Sequence, residues 1–111
     1  MKTSNVVLLS AVDGGVTEAS AGISVGFYQD FTVHAFTTGT AAGTLVIQGS
    51  NDVSATPSNW ADVASTSAAM TSSTPYLKSV SNAPFEWIRV SYSGASGTGN
   101  LTARLKASGY Y

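Results

Sequence analysis

Apolar and polar residues alternate with a period of two through most of this chain. Over residues 30–38, Phe31, Val33 and Ala35 share one face, and Thr32, His34 and Phe36 share the other. Over residues 85–93, Ile88, Val90 and Tyr92 oppose Trp87, Arg89 and Ser91. Over residues 100–108, Leu101, Ala103, Leu105 and Ala107 oppose Thr102, Arg104 and Lys106. Residues 44–49 divide in the same way, with Leu45 and Ile47 against Val46 and Gln48. Shorter or weaker strands are expected at residues 5–12, 16–20, 23–27, 60–65 and 76–80, while 68–74 is poorly patterned. Apolar residues do not recur at three- and four-residue spacing, so helices are not expected. Turn chemistry separates the strands. Asp13-Gly14-Gly15 closes the first, residues 38–43 form a turn, residues 50–59 are a polar loop, and GASGTG at 94–99 reads as a hairpin loop.

About eight short strands divided by turns describe an all-β sandwich or barrel. The expected arrangement is one domain over residues 1–111, a two-sheet sandwich, with residues 1–4 set apart as a candidate N-terminal arm. Its expected core is Val7, Leu9, Val25, Phe31, Val33, Leu45, Ile47, Ile88, Val90, Leu101 and Leu105.

Composition changes this picture in one respect. Charged residues make up 10% of the chain, against about 25% in an ordinary soluble domain. Surface charge keeps monomers dispersed, so a surface of Ser, Thr, Ala, Gly and Asn suits a protein covered by protein neighbours. The net charge of -1 supplies no basic field for nucleic acid or anionic lipid. Cys is 0, which removes disulfides and thiolate metal sites. No apolar run reaches the roughly 18 residues of a membrane span. None of secretory length follows Met1, so no signal peptide is expected.

Chemistry-bearing residues are sparse, and neither enzymatic activity nor a cofactor is expected. His34 sits mid-strand without a G-x-S-x-G nucleophile to serve. One His and no Cys do not make a zinc site. Asn51, Asp52 and Asp62 are the nearest approach to a calcium loop and lack its density of oxygens. Glu18, Glu86, Asp52 and Asp62 form no evident glycosidase pair, and Asp13 and Asp30 read as turn residues. The glycines of GASGTG do not lead into a helix, as a phosphate loop would. Trp60, Trp87, Phe85, Tyr76 and Tyr28 are candidates for a sugar platform or for buried packing. The outward charges Glu86, Arg89, Arg104 and Lys106 are candidates for setting register at an interface. Tyr110 and Tyr111, costly to leave in water at a chain end, are expected to dock on a neighbour.

Residues 45–63, LVIQGSNDVSATPSNWADV, carry an apolar strand, S-N-D, a polar loop and W-x-D/E. The unit resembles one found in discoidin-like and galactose-binding-like sandwiches and in small structural proteins of tailed bacteriophages. FEWIRVSY at 85–92, followed by a Gly/Ser loop and a last strand ending in Lys106-Ala107-Ser108-Gly109, is similar to the phage proteins. The resemblance implies a jelly-roll-like antiparallel sandwich within a virion. The implied role is a capsid decoration or cement protein, or else a tail- or fibre-associated carbohydrate- or receptor-binding module. It further implies a homotrimer bound to the major capsid protein or another virion protein; with no signal peptide expected, the protein would be made in the host cytoplasm.

Overall fold

The computed structural model describes residues 2–25, 28–54, 56–81 and 85–109, with side chains from residue 5 onward. Among these residues there are ten strands and no helix. They are β1 (Lys2–Asp13), β2 (Glu18–Ala19), β3 (Ile23–Ser24), β4 (Asp30–Thr37) and β5 (Ala42–Ser50), then β6 (Ala61–Asp62), β7 (Ala68–Met70), β8 (Tyr76–Val80), β9 (Trp87–Ser96) and β10 (Asn100–Gly109). One sheet has the order β1-β10-β4-β8 and the other β2-β9-β5-β6, with β3 also on β9 and β7 also on β5. Every pairing is antiparallel.

The short β2 and β3 act as one strand along β9, and β6 and β7 as one along β5. The chain is then a long hairpin rolled up on itself. β1 lies on β10, β2/β3 on β9, β4 on β8, and β5 on β6/β7. That winding is a jelly roll.

The core lies between the sheets and comes from the alternating residues of the central strands. Phe31, Val33 and Ala35 of β4, Leu45 and Ile47 of β5, Ile88, Val90 and Tyr92 of β9, and Leu101, Ala103, Leu105 and Ala107 of β10 are all buried. Leu9 of β1, Met70 of β7, Tyr76 of β8 and Val25, just past β3, join it. Two tyrosines enter with their hydroxyls satisfied. Tyr92 donates to the Gly14 carbonyl at 2.6 Å and Tyr76 to the Thr66 carbonyl at 2.6 Å. Burial pushes the Tyr76 phenol up to about 12, so it enters the core as the neutral donor.

Two expectations need correction. Val7 is not a core residue, since it is 56% exposed while Leu9 is 6% exposed. The cause is a β-bulge. Val7 pairs with Arg104 and Leu9 with Ala103, so Leu8 is an extra residue and strict alternation fails there. A second irregularity follows between Leu9 and Val12. Ala11 takes a φ of 50° there, and its N–H donates to Thr102 Oγ1 at 3.2 Å.

Residues 94–99 are not a hairpin loop. β9 and β10 belong to different sheets, so this segment crosses the end of the sandwich. It runs beside the β4–β5 crossing. Thr38 N–H donates to the Asn100 carbonyl and Thr40 N–H to the Thr98 carbonyl, both at 2.9 Å. Gly97 and Gly99 have φ values of 88° and 140°. A Cβ on either would strike the backbone of Thr40 or Thr38, so only glycine lets the two crossings approach. The β1–β2 crossing joins them, with Gly14 N–H donating to the Gly99 carbonyl at 3.0 Å.

Smaller differences occur elsewhere. Residues 60–65 supply only the two-residue β6, and 68–74 only β7. Lys2–Ser4, set apart as a candidate arm, continue β1 and pair with Ala107–Gly109. Phe27 lies outside the described residues.

Alanine at Ile88 or Leu105 should destabilise by about 2–5 kcal/mol in urea unfolding, whereas alanine at Val7 should change stability by no more than about 0.5 kcal/mol. Thr37 Oγ1 is buried without a hydrogen-bond partner among the described residues. Thr37→Val should therefore be neutral or stabilising by roughly 1 kcal/mol in the same measurement.

Candidate functional site

The S-N-D…W segment owes its shape to one carboxylate. Asp52 Oδ2 accepts from the N–H of Ser58 at 2.8 Å and of Asn59 at 2.9 Å, and Oδ1 accepts from Asn59 Nδ2 at 3.1 Å. These donors hold the Asp52 carboxyl below its ordinary value of 3.8, the Asn59 backbone N–H contributing most. Two indoles clamp the same loop. Trp87 Nε1 donates to the Asp52 carbonyl at 3.1 Å, and Trp60 Nε1 donates to the Pro57 carbonyl at 3.2 Å. Asn51 Oδ1 ties the loop to β9 by accepting from Glu86 N–H at 2.8 Å. The described residues of this segment are thus folded back on one another beside the six-stranded sheet. Among them Val53 is fully exposed.

The outer face of that sheet carries a polar ladder. Arg89 of β9, Gln48 of β5 and Asp62 of β6 lie in one row. Arg89 Nε donates to Gln48 Oε1 at 2.8 Å, and Gln48 Nε2 donates to Asp62 Oδ1 at 2.9 Å. The Arg89 guanidinium lies 4.6 Å over the Trp60 ring. Beside it opens a cleft of about 370 Å³ between Ser20, Ala21 and Gly22 on one side and Thr56, Pro57 and Trp60 on the other.

The outer face of the four-stranded sheet differs. One row crosses all four strands: Val7 of β1, Arg104 of β10, His34 of β4 and Leu77 of β8. The next row is Asn5, Lys106, Thr32 and Ser79. Val7 and Leu77 are 56% and 64% exposed. Arg104 lies 5.5 Å over the Phe36 ring, and His34 stands 5.7 Å from the same ring. A shallow concavity of about 450 Å³ runs between Asn5, Val7, Thr32, His34, Arg104 and Lys106.

The four outward charges are therefore not gathered on one surface. Arg104 and Lys106 lie on the four-stranded face, Arg89 on the six-stranded face, and Glu86 at the end beside the 50–60 loop. Trp60 and Trp87 are half-buried and their indole N–H groups are committed within the chain. Tyr76 belongs to the core, Phe85 packs against Gly49, and Tyr28 is half-buried. Asp52 and Asp62 serve separate partners, and among the described residues no three His, Cys, Asp or Glu side chains cluster as a metal site. Tyr110 and Tyr111 lie outside the described residues.

Sequence reading did not join Val7 and Leu77 as a pair, gave Gln48 an outward facing and Pro57 a loop position without a role, and passed over Gly22. Leu77 was legible in principle, because it falls on the opposite face to Tyr76 in a short alternating strand. Gly22 was not, because its role is set by a tryptophan distant in sequence.

No protein-family model and no curated protein matches the chain. Among solved structures it is similar to the PBSX exported protein XepA, with a TM-score of 0.72 at 12% identity. That match covers 97% of this chain and 38% of XepA, so the chain spans about two-fifths of the longer protein. It is also similar to the SPBc2 prophage-derived protein YomS, with a TM-score of 0.58 at 12% identity, covering 96% of this chain and 92% of that one. A chitosan-binding module of a chitosanase/glucanase from Paenibacillus sp. IK-5 aligns at a TM-score of 0.47 and 17% identity, over 94% of this chain and 92% of that one. The chain thus has the sandwich fold of two phage-derived proteins.

The lowered Asp52 carboxyl gives the 50–60 loop a pH dependence of known sign. A depressed pKa contributes stability that is present above the unfolded value and is lost as pH falls through the folded one. Protection of the Ser58 and Asn59 amides, measured relative to their intrinsic exchange rates, should be high near neutrality and fall on acidification below pH 3.8. In Asp52→Asn that protection should be lower near neutrality and lose its dependence on pH.

Proposed function

We propose that this chain is a non-enzymatic structural protein of a phage or prophage particle, a decoration (cement) protein that bridges shell subunits. The row Val7–Arg104–His34–Leu77 carries this reading. It sets two exposed apolar side chains at the margins of the sheet, with the Arg104 guanidinium between them and Lys106 in the next row. Such a face suits a partner surface of acidic and apolar side chains, the basic centre steering and the apolar margins adding buried area. The sandwich measures 42 × 28 × 23 Å. Its broad side is large enough for the roughly 800 Å² per partner of a stable interface.

The low charge of the chain supports the same reading. Hydroxyl and apolar groups lose little on burial when they are hydrogen-bonded or packed, whereas unpaired charges lose a great deal. Repetition of one modest contact around an oligomer and across a lattice raises retention without a single tight site. The fold likeness to two phage-derived proteins favours a particle over a free cellular role.

The test is co-sedimentation of the purified protein with particles that lack it, together with its mass in solution by light scattering. The wild-type protein should form an oligomer and remain on the particle. Val7→Glu combined with Leu77→Glu should keep the melting temperature and lower retention at least about tenfold. Equal retention of that variant, or a monomer with no affinity for the particle, would overturn the reading.

A further inference from the structure

On the side of the sandwich away from the Val7–Leu77 row, Arg89 is held ready for a ligand. Its Nε is used by Gln48, and one π face is used by Trp60. Gln48 is itself fixed by Asp62, and Trp60 by Pro57. The terminal guanidinium nitrogens make no hydrogen bond within the described chain, and no described carboxylate forms an ion pair with Arg89. Asp62, the acid in the same row, is one residue removed and engages the glutamine instead. The charge is therefore oriented but not neutralised, in a half-buried position where an incoming anion meets less solvent screening.

The walls narrow what that anion is. Gly22 closes one side so tightly that a Cβ there would sit 3.0 Å from the Trp60 ring and 3.4 Å from Pro57 Cγ. Pro57 and the Trp60 edge form an apolar wall, and exposed Thr56 stands at the rim. The cleft, about 370 Å³, lies in the range of small-molecule sites. A planar carboxylate matches the free guanidinium fork. A carboxylate on a flexible peptide side chain would reach the fork and leave the proline–indole wall bare. A carboxylate fixed on a pyranose ring fills both, laying its C–H edge on the wall and its hydroxyls toward Thr56.

We propose that this cleft binds a carboxylate-bearing pyranose of an anionic polysaccharide, with Arg89 taking the carboxylate through its terminal nitrogens. The site and the shell-docking row are on opposite faces, so one side of the protein grips a particle while the other meets a glycan.

The probes are oligogalacturonate and oligosialic acid, with neutral galacto-oligosaccharide and a glutamate-rich peptide as comparisons. The readouts are the Trp60 indole N–H resonance and the guanidinium resonance of Arg89. At least one acidic oligosaccharide should shift both saturably, more weakly as salt rises, and the neutral sugar should not. Arg89→Gln should weaken binding at least about tenfold, and Arg89→Lys should weaken it too, because it keeps the charge and loses the fork. Thr56→Glu places a negative charge at the exposed rim without touching the Arg89–Trp60 stack, and it should also weaken binding.

Failure of both acidic oligosaccharides to bind would overturn the proposal. So would binding that is unchanged in Arg89→Gln and Thr56→Glu, equal binding of the neutral sugar, or tighter binding of the peptide. The Val7→Glu/Leu77→Glu protein should retain the full glycan response, so failure of shell docking is distinguishable from failure here.

Discussion

The fold depends on interdigitation of the inward side chains of β4, β5, β9 and β10. No disulfide reinforces them, because the chain has no cysteine. Val33, Leu45, Ile47, Ile88, Val90 and Leu101 are each fully buried, and they come from both sheets. Burial of this kind is the dominant favourable term in folding and grows with the apolar area removed from water. Because these strands alternate through their central residues, placing one set of side chains inside determines which residues form each outer face. The outer rows are thus consequences of the core as much as features in their own right.

Three of the crossings at one end of the sandwich are laced together, and that lacing explains residues that look featureless in sequence. Thr38, Thr40, Thr98 and Asn100 exchange backbone and hydroxyl hydrogen bonds, including Thr98 N–H to Thr40 Oγ1 at 3.0 Å and Asn100 N–H to Thr38 Oγ1 at 2.9 Å. The other end is organised by the Asp52 carboxylate and the two indoles. That arrangement gives the S-N-D…W spacing a structural meaning. The aspartate folds the loop back, and Trp60, eight residues after Asp52, packs against Gly22 and under Arg89 of β9. Once so placed, Trp60 also supports Arg89, which links a stability device to the candidate ligand cleft.

The two faces now carry different chemistry. The four-stranded face offers apolar margins around a basic centre, and the six-stranded face offers a narrow cleft around one oriented guanidinium. The sequence already showed Arg104 and Lys106 pointing away from the core, and likewise Arg89 and Trp87. It did not show that these belong to opposite sides of the molecule. Facing is a local property of a strand, whereas sheet membership depends on pairings between residues far apart, such as Gln48 with Arg89 or His34 with Arg104. The same distinction accounts for the segment 94–99. Its glycines signalled a tight reversal, and only the pairing of β9 with β5 and of β10 with β4 makes it a crossing between sheets.

What the sequence by itself determined is the class of fold and the inward set of the long strands, because period-two alternation is written directly in residue order. It also determined the near absence of charge. What the tertiary structure decided is the jelly-roll order, the bulge at Leu8 that turns Val7 outward, and the meeting of Arg89, Trp60 and Gly22. The physical reason is that a bulge and a cleft are settled by energies summed over non-local neighbours, and no window along a single strand contains those neighbours.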